Sequence, residues 1–177
     1  MTKAIALLVI GMAAQAGAPV KLPAIERYRV GPVVIDAGAQ EIYEAFAGRR
    51  ELVDLGYEGM LSPALLLRFV GLKQRDGVVA ELVPEQGHFT VWRIEIRDPA
   101  FRTMKGIGVG STVAQLRSAY RMDSVLSGEG SVVIRVEELS ASFKLDQTAP
   151  GGSALRRIRD PVQVPDSVKI TSVLLTR

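Results

Sequence analysis

Two stretches of the chain carry apolar residues at spacings of four, three and four. The first is Ile35, Ala39, Ile42 and Phe46, within "VVIDAGAQEIYEAFAG". The second is Val109, Val113, Leu116 and Tyr120, within "GVGSTVAQLRSAY". Such spacing places one apolar stripe on one face of a helix and predicts two short amphipathic helices. Thr112 followed by Gln115 is a helix-start signature, and Gly38 with Glu41 is a weaker version of it. Runs with the period-two alternation of half-buried strands follow each helix. After the first come "RELVDLGY", "ALLLRFVG", "GVVAELV" and "FTVWRIEIR". After the second come "DSVLSG", "SVVIRVEE", "ASFKL" and "SVKITSVLL". Alternation puts Trp92, Ile94 and Ile96 on one face, with Arg93, Glu95 and Arg97 on the other, which makes Trp92 a core residue. Glu58-Gly59 and Glu129-Gly130 mark hairpin turns.

The two helical patterns recur at a constant offset of 74 residues (Ile35 to Val109, Ile42 to Leu116, Phe46 to Tyr120). The expectation is an α+β protein of two tandem repeats, 31–100 and 101–177. Each repeat is a short helix followed by a roughly four-stranded antiparallel sheet, and the two pack as one domain because neither can close a core alone. Residues 17–30 form a lead-in. The segment "QTAPGGSALRRIRDPVQVP" from Gln147 to Pro165 has no counterpart in the first half, and it reads as a long exposed loop before the last strand.

"GIGVGSTVAQLRSAY" (Gly106 to Tyr120) resembles a helix-opening motif of small secreted and periplasmic bacterial proteins. These include the β-lactamase inhibitory proteins and the outer-membrane assembly lipoproteins. The resemblance implies a turn with glycines, a short helix and an antiparallel sheet, a unit that the inhibitory proteins contain twice in tandem. This chain departs from both groups in having no cysteine, so it has neither the inhibitors' disulfides nor the lipidated cysteine of the lipoproteins.

The N-terminus points to export. Lys3 precedes an uncharged apolar run from Ala4 to Ala14, followed by the small-residue sites Ala14-Gln15-Ala16 and Ala16-Gly17-Ala18. This is the layout of a signal peptide, 1–16, cut after Ala16 and leading to the periplasm or the medium. The run is too short to span a bilayer. Hydrophobic content of 47% supports a packed core. A net charge of +3 without a basic stripe, and 6% aromatics, argue against nucleic acid.

The chemistry-bearing residues are few. Gly106, Gly108 and Gly110 lead into Ser111 and Thr112, without the third glycine of a dinucleotide loop or the lysine of a phosphate loop. They read as a structural turn, with Thr112 as helix cap, and no cofactor is expected. His88, the sole histidine, falls just past a hairpin turn rather than beside a nucleophile, and one histidine without cysteine makes no zinc site. Glu137 and Glu138, adjacent on a presumed strand, face opposite ways. Asp54 and Glu58 would share a strand face. Arg156, Arg157 and Arg159 gather in the 147–165 loop and are candidate contacts for an acidic partner. The expected function is a non-catalytic envelope protein that binds a protein or small ligand through a sheet face or that loop, with no membrane span and no lipid anchor. The rivals are a hydrolase using carboxylates and a structural or chaperone-like envelope factor.

Overall fold

The computed structural model describes residues 23–45, 52–56, 64–67, 77–128, 130–148 and 152–177. The signal-peptide segment, the Glu58-Gly59 turn and Glu129 lie outside them. Three two-residue strands come first: β1 (Ile25–Glu26), β2 (Arg29–Val30) and β3 (Val33–Val34). Then come helix α1 (Ala39–Ala45) and strands β4 (Leu52–Gly56), β5 (Ala64–Leu67), β6 (Val78–Glu85) and β7 (His88–Ile96). Helix α2 (Val113–Ala119) is followed by β8 (Ser124–Gly128), β9 (Ser131–Val136), β10 (Ala141–Leu145) and β11 (Ile170–Thr176).

The expected α+β fold of two tandem helix-plus-four-strand repeats needs correction. The chain is mostly antiparallel β, built from a three-stranded sheet and one continuous eight-stranded sheet ordered β4-β5-β6-β7-β11-β10-β9-β8. Four strands do follow each helix in chain order, but they do not form two sheets. β7 and β11, which would each have been an edge, pair through Val173↔Ile96, Leu174↔Glu95 and Leu175↔Ile94. The helices are seven residues each and lie on the sheet rather than forming a layer. They are also shorter than their apolar patterns. Asp36 and Gly110 adopt φ of 73° and 85°, a left-handed backbone that no α-helix can include, so Ile35 and Val109 fall outside. The three-stranded sheet was not expected, because two-residue strands leave no period to read. Its chain direction is set by Gly31 and by Tyr28, a non-glycine residue at φ 64°.

A row of buried apolar side chains crosses the large sheet in register: Leu67, Val78, Ile96, Val173, Phe143, Ile134 and Val125. All are at most 4% exposed. Against this face pack Ile42 of α1, Val113 and Leu116 of α2, and Ile25, Val30 and Val33 of the small sheet. The 147–165 segment, expected as an exposed loop, is instead a pair of 3-10 turns, Gly152–Arg157 and Pro161–Gln163. It inserts Leu155 and Val164, 3% and 2% exposed, into the same core. Glu137 and Glu138 also depart from the expectation, since the strand ends at Val136 and both sit in a 3-10 turn closed by Ser140 at φ 49°.

Phe143, fully buried at the middle of that row, is the side chain whose loss should cost most. Phe143→Ala should lower unfolding free energy by about 3–5 kcal/mol, read as a shift in urea midpoint. A loss under about 1 kcal/mol would show that the row is not the core.

Candidate functional site

The glycine turn forms no phosphate cradle. The N–H of Gly106 donates to the Thr103 carbonyl at 2.8 Å, and that of Gly110 to the Ile170 carbonyl at 2.8 Å. Those of Ile107 and Gly108 donate to Thr103 Oγ1 and Ser111 Oγ at 3.1 and 3.2 Å. An anion site of this kind needs free amides converging on one point, and these are spent within the turn and on β11. A Cβ on Gly108 would collide with the Phe101 carbonyl oxygen. Thr112 Oγ1 accepts from the Gln115 N–H while Gln115 Oε1 accepts from the Thr112 N–H, a reciprocal cap on α2.

The arginines of the 147–165 segment are exposed, but two of them hold their own chain together. Arg156 donates to Gln147 Oε1 at 3.0 Å and to the Gly130 carbonyl at 3.1 Å. Arg159 donates to the Arg156 carbonyl at 2.7 Å. His88 is exposed at the start of β7. Among the described residues, no group of three or more His, Cys, Asp or Glu is placed to hold a metal. The side chains of Asp54 and Glu58 lie outside what is described.

The chemistry concentrates on the face of the large sheet turned away from the helices. One cross-strand row there reads Glu95, Leu174, Ser142, Arg135 and Ser124. Next to it lie Ser172, Lys144, Val133 and Leu126. A trough of about 290 Å³ is lined by Arg93 on β7, Leu174 and Thr176 on β11, Ser142 on β10, Val133 on β9 and Leu126 on β8. Arg135 also reaches over β10 to donate to Thr176 Oγ1 on β11, at 3.1 Å. Leu126 is 52% exposed on the trough floor.

Trp92 belongs to this face, not to the core with Ile94 and Ile96 as the alternation predicts. The register of β6 with β7 slips at one point: Glu81 pairs Arg93 and Leu82 pairs Val91, leaving Trp92 without a cross-strand partner. An extra residue of this kind is a β-bulge, which reverses the facing of the residues before it. Val91 therefore goes into the core at 0% exposure and Trp92 comes out at 37%. The bulge lies where residues 36–38 pair with β7: the Asp36 N–H donates to the Val91 carbonyl at 2.8 Å and the Val91 N–H to the Ala37 carbonyl at 2.9 Å. Trp92 walls a second cleft of about 480 Å³, with Asp36, Glu85, Thr90 and Arg177. Thr176 lines both clefts. The acids of the second cleft are engaged, Asp36 by Arg177 and Glu85 by the Thr90 hydroxyl at 3.0 Å.

Two ion pairs define the electrostatics of the face. Arg93 meets Glu81 at 2.7 Å, with the glutamate side chain 4% exposed and the arginine 25%. Arg97 meets Glu95, at 11% and 48% for acid and base. Burial alone would raise the Glu95 pKa. Arg97 first, and then Lys144, outweigh burial and hold it below the ordinary 4.5. The Ser172 hydroxyl lies nearby but closes no hydrogen bond, so the ion pair with Arg97 carries the effect. Because the folded-state pKa lies below the unfolded one, the stabilisation from Glu95 is present above the unfolded value and fades as pH falls through the folded one. The stability difference between wild type and Glu95→Gln should therefore shrink on acidification, in urea titrations from about pH 7 to about pH 3. A constant difference across that range would contradict the assignment.

No protein-family model matches the chain, and no curated protein matches it. A solved structure, that of the uncharacterized protein yfeY from Escherichia coli, is similar with a TM-score of 0.56 and 15% sequence identity. The match covers 89% of this chain and 100% of that one. At that identity the likeness is one of fold alone.

Proposed function

We propose that the protein is an exported, non-catalytic component of the bacterial envelope that binds another protein through the outer face of its large sheet. The observation that carries this reading is the trough itself, an open concavity whose floor presents Leu126, Val133 and Leu174 to solvent. Exposed apolar side chains bordered by hydroxyl groups and an arginine are the composition of a docking surface rather than of a plain solvated sheet face. Trp92, 37% exposed, extends the apolar area beyond one end of the trough. Export rests on the N-terminal sequence pattern. Among the described residues no helix is long and apolar enough to cross a membrane.

The hydrolase reading asks for two acids converging on an open cleft. Glu81 and Glu95 share a sheet face, but each is closed by an arginine. A general acid or base needs reach to substrate, and these carboxylates lie beneath guanidinium groups.

Leu126→Ala tests the binding reading without disturbing the core, since the side chain is half in solvent. With a crosslinked envelope partner captured by wild type, the variant should bind that partner roughly fivefold more weakly while its circular dichroism is unchanged. Equal binding by both would place the interface elsewhere.

A further inference from the structure

We propose that the trough receives an extended, acidic segment of the partner protein. This rests on the reading that the trough is the docking face. What a visiting molecule meets there differs from the formal charge count. The acids of the face, Glu81 and Glu95, are 4% and 11% exposed, while the guanidinium groups covering them, Arg93 and Arg97, stand 25% and 48% exposed. The carboxylates are roofed and their bases face solvent.

Lys144 adds to this. It is half-buried beside Val133 and Ser172, and it makes no direct ion pair among the described residues. Arg135, 14% exposed, lies across the face with its guanidinium on Glu137 and Thr176. Arg93 lines the trough over an acid that does not reach the surface, and Lys144 and Arg135 flank it as the cross-strand neighbours of Val133 and Ser142, with Glu137 exposed on the far side of Arg135. Potential complementarity across an interface then selects carboxylates.

Shape narrows the occupant further. The trough crosses from β7 to β8, four inter-strand steps of about 4.8 Å, so it is roughly 19 Å long. An extended chain rises about 3.3 Å per residue, so about six residues fill it. The lining is apolar where Leu126, Val133 and Leu174 lie, with Arg93 at one end and Lys144 and Arg135 at neighbouring register positions. An extended segment that alternates acidic and apolar side chains satisfies both, turning one set to the floor and the other to the rim.

The chain has one tryptophan, which makes the test direct. The Arg93 guanidinium lies 4.6 Å from the centre of the Trp92 ring. A carboxylate drawn to Arg93 perturbs that cation–π contact and with it the indole emission. Three blocked hexapeptides are titrated against the full mature protein: alternating Glu and Leu, alternating Lys and Leu, and alternating Ser and Leu. The Glu peptide should give a saturable change in Trp92 emission that weakens as salt rises from about 0.05 to about 0.5 M. Lys144→Glu should weaken it by about tenfold or more. Tighter or equal binding of the Lys or Ser peptide would overturn the acidic preference and leave the docking face standing. No saturable response from any peptide, by fluorescence or by calorimetry, would overturn both. Lys144→Gln is the second variant, read the same way. It leaves both ion pairs of the face in place.

Discussion

Everything on the outer face depends on the backbone pairing between β7 and β11. These strands come from opposite halves of the chain, and each would be a sheet edge if the other were removed. Joined, they make one eight-stranded sheet in which Ile96 and Val173 carry a buried row from Leu67 to Val125 without interruption. The same register, one residue on, sets Glu95 beside Leu174 on the other side. A one-residue slip at this seam would move the core row into solvent and the charged row into the core. The seam therefore fixes both the stability of the protein and the composition of its candidate surface.

A continuous antiparallel sheet twists and coils, and here a trough crosses the side away from the helices. That side carries two buried glutamates, each with its arginine. Neither pair is a strong source of stability, because desolvating a carboxylate offsets much of the attraction it gains. Their consequence is electrostatic display. Acids held close to the backbone and bases held above them give a surface more positive than its sequence composition. The bulge at Trp92 contributes the remaining element. It releases an aromatic ring from the core to the rim, where Arg93 covers it, and lets residues 36–38 take up the first half of β7.

Much of the strand content was legible because period-two alternation survives wherever one sheet face is buried and the other is not. "SVVIRV" and "ASFKL" alternate without exception, and the structure places Val132, Ile134, Val136, Ala141, Phe143 and Leu145 inward. The same rule failed at Trp92, because a bulge adds one residue and inverts the facing on one side of it. Nothing in "TVWRIEI" announces that insertion. It arises from pairing with residues more than fifty positions earlier in the chain. The three-stranded sheet was illegible for another reason, its strands being shorter than one period. The arginines of the 147–165 segment show another limit, because a run of cations looks the same in sequence whether its members stand in solvent, as Arg157 does, or also reach the protein's own carbonyls, as Arg156 and Arg159 do. The trough could not be read at all. Arg93, Leu126, Val133, Ser142 and Leu174 come from five strands and meet only through the seam.

Native-state hydrogen exchange at the seam tests this account most directly. The ladder amides between β7 and β11, around Ile94, Ile96, Val173 and Leu175, should exchange only through global unfolding. Their opening free energy should match that of the β6–β7 and β9–β10 ladders and fall with denaturant at the same slope. Seam amides that open at distinctly lower free energy, while both flanking ladders stay protected, would show two sheets leaning on each other. The continuous outer face, and the trough built on it, would then not be a fixed property of the fold.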